Sequence, residues 1–459
     1  MGLGGGGAGG GGGGGRNVAE AAPLLATPAA AKANAPQLQH LAVWAPLPLL
    51  DAMALAAGKA GRHPAVLAYV MRSLEACPPE DVAFFLPQLL LRFDQGGGGE
   101  GGLVEQFLMD AAARSVYFAH MLVCQLLSEG TPPEEAFNPT VKRSNWSPPT
   151  DSGLWAVADR VRGRLLGELH GAVRERLDAE LAFFDEVTAV SGKLYPVPKD
   201  ERKAAAVKFL EGIEVPRQDL YIPTNPDCRV LALIPESAAP MQSAAKCPIL
   251  AAFRCEQADD LGRREKVQAC IFKVGDDCRQ DVLALQVMRL LKGAFDRAGL
   301  PLYLAPYGVV PTGHEQGIIE VIPQAKSRAQ LVSGAGVCGN LGFETAPFKL
   351  SYEMTQLLDP GAARDSPTFR RFSELAIRGF LAARSVAESV VATVAMMAPS
   401  QLPCFGYGKP VDSLRARFKL ELSDAQAAAY MKGLVLRAYD KWTTGGYDYI
   451  QYLQQNIPK

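Results

Sequence analysis

The residues in this 459-residue sequence best placed to do chemistry are a lysine and an aspartate, Lys273 and Asp281. Lys273 lies near the end of the β-rich run Ala-Cys-Ile-Phe-Lys-Val at 269–274, and Gly275 follows it. A helix is expected to begin around Asp277-Cys-Arg-Gln280, where Asp277 and Gln280 have the spacing of a capping box. Val282, Leu283, Leu285, Val287 and Leu290 give that helix a broad apolar face and put Asp281 in its first turn. A carboxylate so placed orients an ammonium on the adjoining strand, and the ammonium neutralises nucleotide phosphates. Spacing alone also fits an ordinary strand-end lysine and a solvated first-turn aspartate favoured by the helix dipole.

Two kinds of chain position this pair. Residues 38–195 read as successive helices. In 63–77, Val66, Val70 and Leu74 share a face with Leu67 and Met71 beside them, and Pro78-Pro79 stops the pattern. Further helices are expected over 80–93 and 103–128. From Leu154, apolar residues recur every fourth position from Val157 to Leu181. Because a strict period of four drifts around a 3.6-residue helix, this stretch should bend. Gly163, Gly167 and Gly171 offer it a close-approach face. Stacked helices of this kind make an α-solenoid, which supports or binds other domains. His63, His120 and His170 are single helical histidines and read as structural. After Pro196 the texture changes to short strands, at 230–234, 249–253, 267–274, 302–310 and 317–322.

Composition narrows the class. Forty-seven Lys and Arg against 48 Asp and Glu give no electrostatic case for nucleic-acid binding. Nine cysteines without a CxxC pair or a Cys/His cluster argue against a zinc site or a disulfide framework and fit a reducing cytosol. The apolar run 389–399 is too short to span a bilayer. Residues 1–36, a Gly tract followed by Ala/Pro-rich sequence, are expected to be a disordered tail. The aromatic tail 442–453 suits either a membrane surface or packing on the fold.

The run Ile271-Phe-Lys-Val-Gly-Asp-Asp-Cys-Arg-Gln-Asp281 resembles the FK-x-GDD-x-RQD signature of phosphatidylinositol 3/4-kinases. Tyr221-Ile-Pro-Thr-Asn-Pro-Asp227, Ser243-Ala-Ala-Lys-Cys-Pro248 and Gly317-Ile-Ile-Glu-Val-Ile-Pro323 resemble the family's N-lobe entry, phosphate loop and hinge strand. Trp44-Ala-Pro46, Ser191-Gly-Lys-Leu194 and Tyr447-Asp-Tyr-Ile-Gln-Tyr452 are similar to the type III alpha phosphatidylinositol 4-kinases within it. The resemblance implies an α-solenoid accessory (PIK) domain over 37–200, a kinase N-lobe and hinge over 201–326, and a truncated C-lobe over 327–459. The fold class is thus a helical solenoid followed by an incomplete α+β two-lobed lipid-kinase domain. Lys273 would bind ATP phosphates, Asp281 would pair with it, and Ser243 would sit over the phosphates. Glu320, Val321 and Ile322 would form the hinge against adenine. Implied partners are a phosphatidylinositol membrane surface and protein scaffolds on the helical domain, at a cytoplasmic, peripheral location on the plasma membrane.

The resemblance has a gap. The family's D-R-H-x-x-N catalytic loop and its D-F-G motif, which holds Mg, are both absent from the sequence. Ser327-Arg-Ala-Gln-Leu331 resembles the segment just past the hinge, and Gly339-Asn-Leu-Gly-Phe-Glu344 the late activation loop. Only 332–338 separates them. A block lost in register has the form of a skipped exon or a faulty gene model. No catalytic residue and no metal ligand is therefore assigned. The chain is expected to lack phosphotransfer, the alternative being a non-catalytic scaffold or pseudokinase interaction protein.

Overall fold

A computed structural model describes residues 21–92, 102–132, 153–241, 247–259, 262–323, 350, 352–361, 364–400, 402–406 and 408–439. The chain divides into two compact units. One comprises the described parts of Met1–Met288, Pro306–Val321 and Glu388–Pro410; the other, of Arg289–Ala305, Ile322–Ala387 and Val411–Lys459.

The first unit opens with helices. In the helix Pro64–Glu75, Val66, Val70 and Leu74 are fully buried with Leu67 and Met71 beside them, as their spacing predicts. His63 is structural: Nδ1 accepts the Ala65 N–H, and Nε2 lies 3.0 Å from Asn34 Oδ1. The two helices expected next are each broken. Pro79–Val82 and Leu86–Leu90 flank a 3₁₀ turn, and Leu103–Arg114 is separated from Val116–Glu129 at Ser115. The Ser115 hydroxyl caps the latter by accepting the Phe118 N–H at 3.2 Å. The fourfold pattern divides into Gly153–Glu168 and Gly171–Leu194, with Gly171 at φ +63°. Gly163, Gly167 and Gly171 have open space where a Cβ would sit, so the expected close-approach face is unused. Arg160 and Arg164 instead tie this segment to the buried Glu105, each at 2.8 Å.

Residues 21–36 are not a tail. Ala22–Leu25 and Pro28–Lys32 are short helices, the second capped by Thr27, and Ala22, Ala26 and Ala30 are buried in the same core as Leu38 and Leu41. Small alanines bury with little loss of side-chain entropy, a gain that composition alone does not reveal.

The strands form one antiparallel sheet: β1 Tyr221–Ile222, β2 Asn225–Pro240, β3 Ile249–Asp259, β4 Gly262–Val274, β5 Val309–Gly313 and β6 Gln316–Glu320, in the order β1-β2-β3-β4-β6-β5. The strand expected over 302–310 begins only at Val309. Pro301 and Pro306 lack the N–H a ladder needs, and Tyr303 is 91% exposed. On β4 the alternating Cys270 and Phe272 turn inward. Phe253 and Phe272 meet Phe184, with Phe272 stacked on it at 6.4 Å. Phe184 belongs to Gly171–Leu194, which with Arg202–Glu211 covers this sheet face. Each such phenylalanine contributes about 1.5–3 kcal/mol by leaving water.

Helix Arg279–Arg297 crosses from the sheet to the helical half. Buried Gln286 and Gln88 form a reciprocal amide pair at 2.7 and 3.0 Å, and Gln286 also donates to the Phe84 carbonyl. Gln88 further approaches the Thr393 carbonyl at 3.4 Å.

In the second unit, helices Pro367–Ser385 and Asp424–Tyr439 pack through Phe369, Val435 and Ala438. The expected capping box forms here: Ser423 N–H donates to Gln426 Oε1 at 2.9 Å, and Gln426 N–H to Ser423 Oγ at 3.4 Å. Among the described residues no single helix is long and apolar enough to cross a membrane.

Candidate nucleotide-binding site

Lys273 owes its position to the period of two. Cys270 and Phe272 fill the core, so Lys273 emerges on the opposite face, one-third exposed. It pairs in register with Gly317 of β6. A Cβ on Gly317 would lie 2.9 Å from Cys278 Sγ and 3.0 Å from the Val310 carbonyl, so glycine is what lets the turn after β4 close onto β6. That turn passes through Gly275 at φ +91°. Its Gly275 and Asp276 N–H groups both donate to the Glu315 carbonyl, at 2.7 and 3.1 Å.

The following helix starts differently from expectation. Asp277 Oδ1 accepts the Arg279 N–H at 2.9 Å, but Gln280 does not complete a capping box. Its Oε1 accepts the Cys404 N–H at 3.1 Å instead. The Lys273 ammonium pairs with Asp276 at 3.2 Å. Asp281 is exposed in the first helical turn and makes no ion pair among the described residues. Burial pushes the Asp281 carboxyl up, against the pull of the Lys273 charge, so the two groups sense each other without touching.

Glu320 ends β6 opposite Cys270. Its N–H donates to the Gly308 carbonyl and its carboxylate accepts the Gly308 N–H, both at 2.8 Å. The Val321 N–H is spent on the Ala269 carbonyl at 3.0 Å, and Ile322 is 38% exposed. Ser243, the junction 332–338 and the tail 442–453 lie outside the described residues.

Two residues that spacing did not single out stand behind the site. Arg279 binds Asp277 and, across the sequence, Glu129 at the end of Val116–Glu129, each at 2.7 Å. Burial works against the Arg279 charge, and the Glu129 and Asp277 carboxylates more than reverse it, holding the guanidinium above its ordinary value. Burial likewise raises the Glu129 carboxyl, with Arg279 opposing it. The one sequence signal was an acid closing an otherwise apolar helix. Nothing in the sequence named its partner.

The site thus combines a strand-end lysine, a tight glycine turn and acids leading into a helix, beside strand β6. Residues 268–341 match the family described as phosphatidylinositol 3- and 4-kinase, and residues 21–147 match the phosphoinositide 3-kinase family accessory (PIK) domain. The chain belongs to the phosphatidylinositol 3- and 4-kinase family. It is similar to "Phosphatidylinositol 4-kinase alpha 1" of Arabidopsis thaliana, 39% identical over 97% of this chain and 25% of that protein. "Phosphatidylinositol 4-kinase alpha 2" of the same plant is 38% identical over 78% of both chains. "Phosphatidylinositol 4-kinase STT4" of Saccharomyces cerevisiae is 31% identical over 90% of this chain and 25% of its own. The chain thus spans a quarter of the length of alpha 1 and of STT4. Its alignment with alpha 1 runs over 519 positions, more than the 459 residues available, so alpha 1 carries residues within the matched stretch that this chain lacks.

Proposed function

We propose that this chain is the nucleotide-binding portion of a phosphatidylinositol 4-kinase that retains a place for ATP and has lost the means to transfer its phosphate. The observation that carries this reading is Lys273, half-buried on β4 beside the hinge strand with Asp276 at 3.2 Å. An ammonium held by an exchangeable, half-exposed carboxylate suits a nucleotide phosphate, which displaces Asp276 as the counter-charge. Asp281 is the family's partner for Lys273 by resemblance, and Ser243 its phosphate-loop residue. Glu320, Val321 and Ile322 would take adenine. With the Val321 N–H engaged, the backbone carbonyls there serve as acceptors for the exocyclic amine.

Magnesium has no comparable fit. Among the described residues no cluster of three or more His, Cys, Asp or Glu is placed to hold a metal ion. D-R-H-x-x-N and D-F-G are missing from the sequence. Loss of the proton acceptor alone costs about 10²–10⁴-fold in rate. The family reaction, ATP-dependent phosphorylation of phosphatidylinositol at the inositol 4-hydroxyl to give phosphatidylinositol 4-phosphate, is therefore not expected of this chain.

In this reading residues 37–200 act as a PIK-type solenoid offering a surface to protein partners. Residues 201–326 are the N-lobe and hinge, and 327–459 the shortened C-lobe. The location is cytoplasmic and peripheral at the plasma membrane. A second reading, a non-catalytic scaffold, is favoured by the buried Arg279–Glu129 pair, which fastens the turn after Lys273 to the helical half through protein groups alone.

The test is made on the purified chain. A fluorescent ATP analogue is titrated, and transfer of labelled γ-phosphate to phosphatidylinositol vesicles is measured beside it. Binding without labelled lipid is the expected result. Labelled lipid above that of a Lys273→Met control overturns the inactivity. Absence of analogue binding leaves the scaffold reading.

A further inference from the structure

Arg176 and Glu180 lie four residues apart on helix Gly171–Leu194, a spacing that puts both on one face. Glu180 is fully buried, and its Oε1 accepts the Tyr221 N–H at 2.9 Å. Two buried polar atoms of this pair, Arg176 Nε and Glu180 Oε2, have no hydrogen-bond partner among the described residues. The guanidinium stands over the Tyr221 ring instead, 5.4 Å from its centre, with Nε 3.8 Å from Asp219 Oδ2. That ion contact is too long for a hydrogen bond. Asp219 does not depend on it, because Arg217 holds both its oxygens, at 2.9 and 3.0 Å.

A proton on Glu180 accounts for the two idle atoms. Burial raises the carboxyl to about 8; the Tyr221 N–H, Arg176 and Arg217 oppose the rise, and Asp219 adds to it. Oε1 already accepts an N–H, so the proton belongs on Oε2, where it and Arg176 Nε are two donors with nothing to share. Removing it turns Oε2 into a charged acceptor. A charge-assisted bond formed out of water outweighs a loose, half-exposed ion contact. The groups packed around the pair hold their own states. Burial pushes up the Tyr221 hydroxyl and the Cys124 thiol, which Asp185 also raises, so both keep their protons. Buried His120, 2.8 Å from the Tyr221 hydroxyl, stays neutral, and Tyr117 meets the Tyr221 ring edge-on. Asp219 is held ionised chiefly by Arg217.

We propose that Arg176 is a proton-controlled toggle, resting on the Tyr221 ring and Asp219 while Glu180 is protonated and swinging onto Glu180 Oε2 when that proton passes to solvent. Both positions lie within reach of one side chain, and no third group is needed to drive the exchange. The swing takes a cation off the segment 217–220 and off the ring of Tyr221, the residue that opens β1 and so the whole sheet. The Tyr221 N–H keeps its acceptor in both states. No residue of the toggle belongs to the nucleotide site, so the inference stands apart from the function proposed above.

The full chain, labelled in arginine with ¹³C and ¹⁵N, is followed from about pH 6 to about pH 9 by carbon-detected correlation of arginine Cζ with Nε, which needs no exchangeable hydrogen. The Arg176 signal, assigned from its absence in Arg176→Met, should move with a midpoint near pH 8. In Glu180→Gln, a neutral side chain of the same shape, it should stay at its low-pH position. Hydrogen exchange, corrected for its intrinsic pH dependence, should show protection of 217–220 falling about two- to fivefold across the same midpoint. Arg176→Met should lack that step, and the Tyr221 amide should remain protected throughout. An Arg176 signal that does not move, or that moves equally in Glu180→Gln, overturns the proposal. So does a step that survives in Arg176→Met, or a Tyr221 amide that loses protection together with 217–220, which would mean local unfolding.

Discussion

Arg279 Nη1 lies 2.7 Å from Glu129 Oε2, a contact spanning 150 residues of sequence. Arg279 sits within the segment that resembles the family signature, yet its side chain reaches Glu129 in the helical half. With Asp277 it forms a buried triad in which one cation serves two carboxylates. The turn that presents Lys273 is thereby referenced to a helix from a different part of the chain.

Removing one partner of this pair should be costly. Arg279→Met is expected to lower stability by about 3–5 kcal/mol, because it leaves the buried Glu129 without its counter-ion, whereas Glu129→Met should cost less, since Asp277 still pairs with Arg279. The double variant Arg279→Met/Glu129→Met should recover much of that loss. Urea denaturation of all four proteins measures the coupling; additive losses would show that the pair is not acting as a unit.

Lys273 should behave in the opposite way. Its ion pair with Asp276 is half-exposed, and such pairs are worth about 0–1 kcal/mol. Lys273→Met is therefore expected to leave the melting temperature nearly unchanged while cutting affinity for an ATP analogue about tenfold or more. Asp276→Asn and Asp281→Asn separate the two candidate partners. If phosphate replaces Asp276 on the lysine, Asp276→Asn raises nucleotide affinity and Asp281→Asn lowers it.

Glu180 makes stability depend on pH. It is fully buried, Oε1 accepts the Tyr221 N–H at 2.9 Å, and Oε2 has no hydrogen-bond partner among the described residues. Burial pushes its carboxyl up to about 8. A raised folded-state value means the contribution is whole below the ordinary carboxylate range and is lost as pH climbs towards 8. The slope should approach about 1.4 kcal/mol per pH unit between those limits. Glu180→Gln should flatten thermal unfolding measured from pH 5 to pH 8. His120, whose Nδ1 lies 2.8 Å from the Tyr221 hydroxyl, is held neutral by burial, its pKa lowered to about 3. Its contribution is present above about 6.5 and is lost as pH falls, so acid weakens the same cluster from the other side.

Gly317 is a steric requirement. Gly317→Ala should cost about 1–3 kcal/mol, because its methyl would meet Cys278 Sγ at 2.9 Å and the Val310 carbonyl at 3.0 Å. Gly163→Ala is the control. With open space around it in a helix, that change should be neutral or mildly stabilising in thermal melts.

Local pattern made part of this legible. The helical faces of Val66, Val70 and Leu74, the alternation that turns Lys273 out of the core, and the Ser423–Gln426 capping box all depend on neighbours close in sequence. Strand limits were less legible where proline intervened, as before Val309. The capping box at Asp277 failed because Gln280 found a backbone N–H at Cys404, 124 residues away. Arg279–Glu129 and Gln88–Gln286 likewise join distant segments, and no periodicity announces such meetings.

The Gln88–Gln286 amide pair bears on heredity. An apolar seam tolerates exchange of one side for another of similar volume, because methyl groups accept almost any methyl neighbour. An amide pair closed on both sides does not: a partner lacking the matching donor and acceptor strands buried polar atoms at about 1–3 kcal/mol each. Recombination that swapped the helical half alone between distant relatives would meet that penalty at Gln286. The two halves should therefore be inherited together, and compensated substitutions at 88 and 286 should travel as one allele.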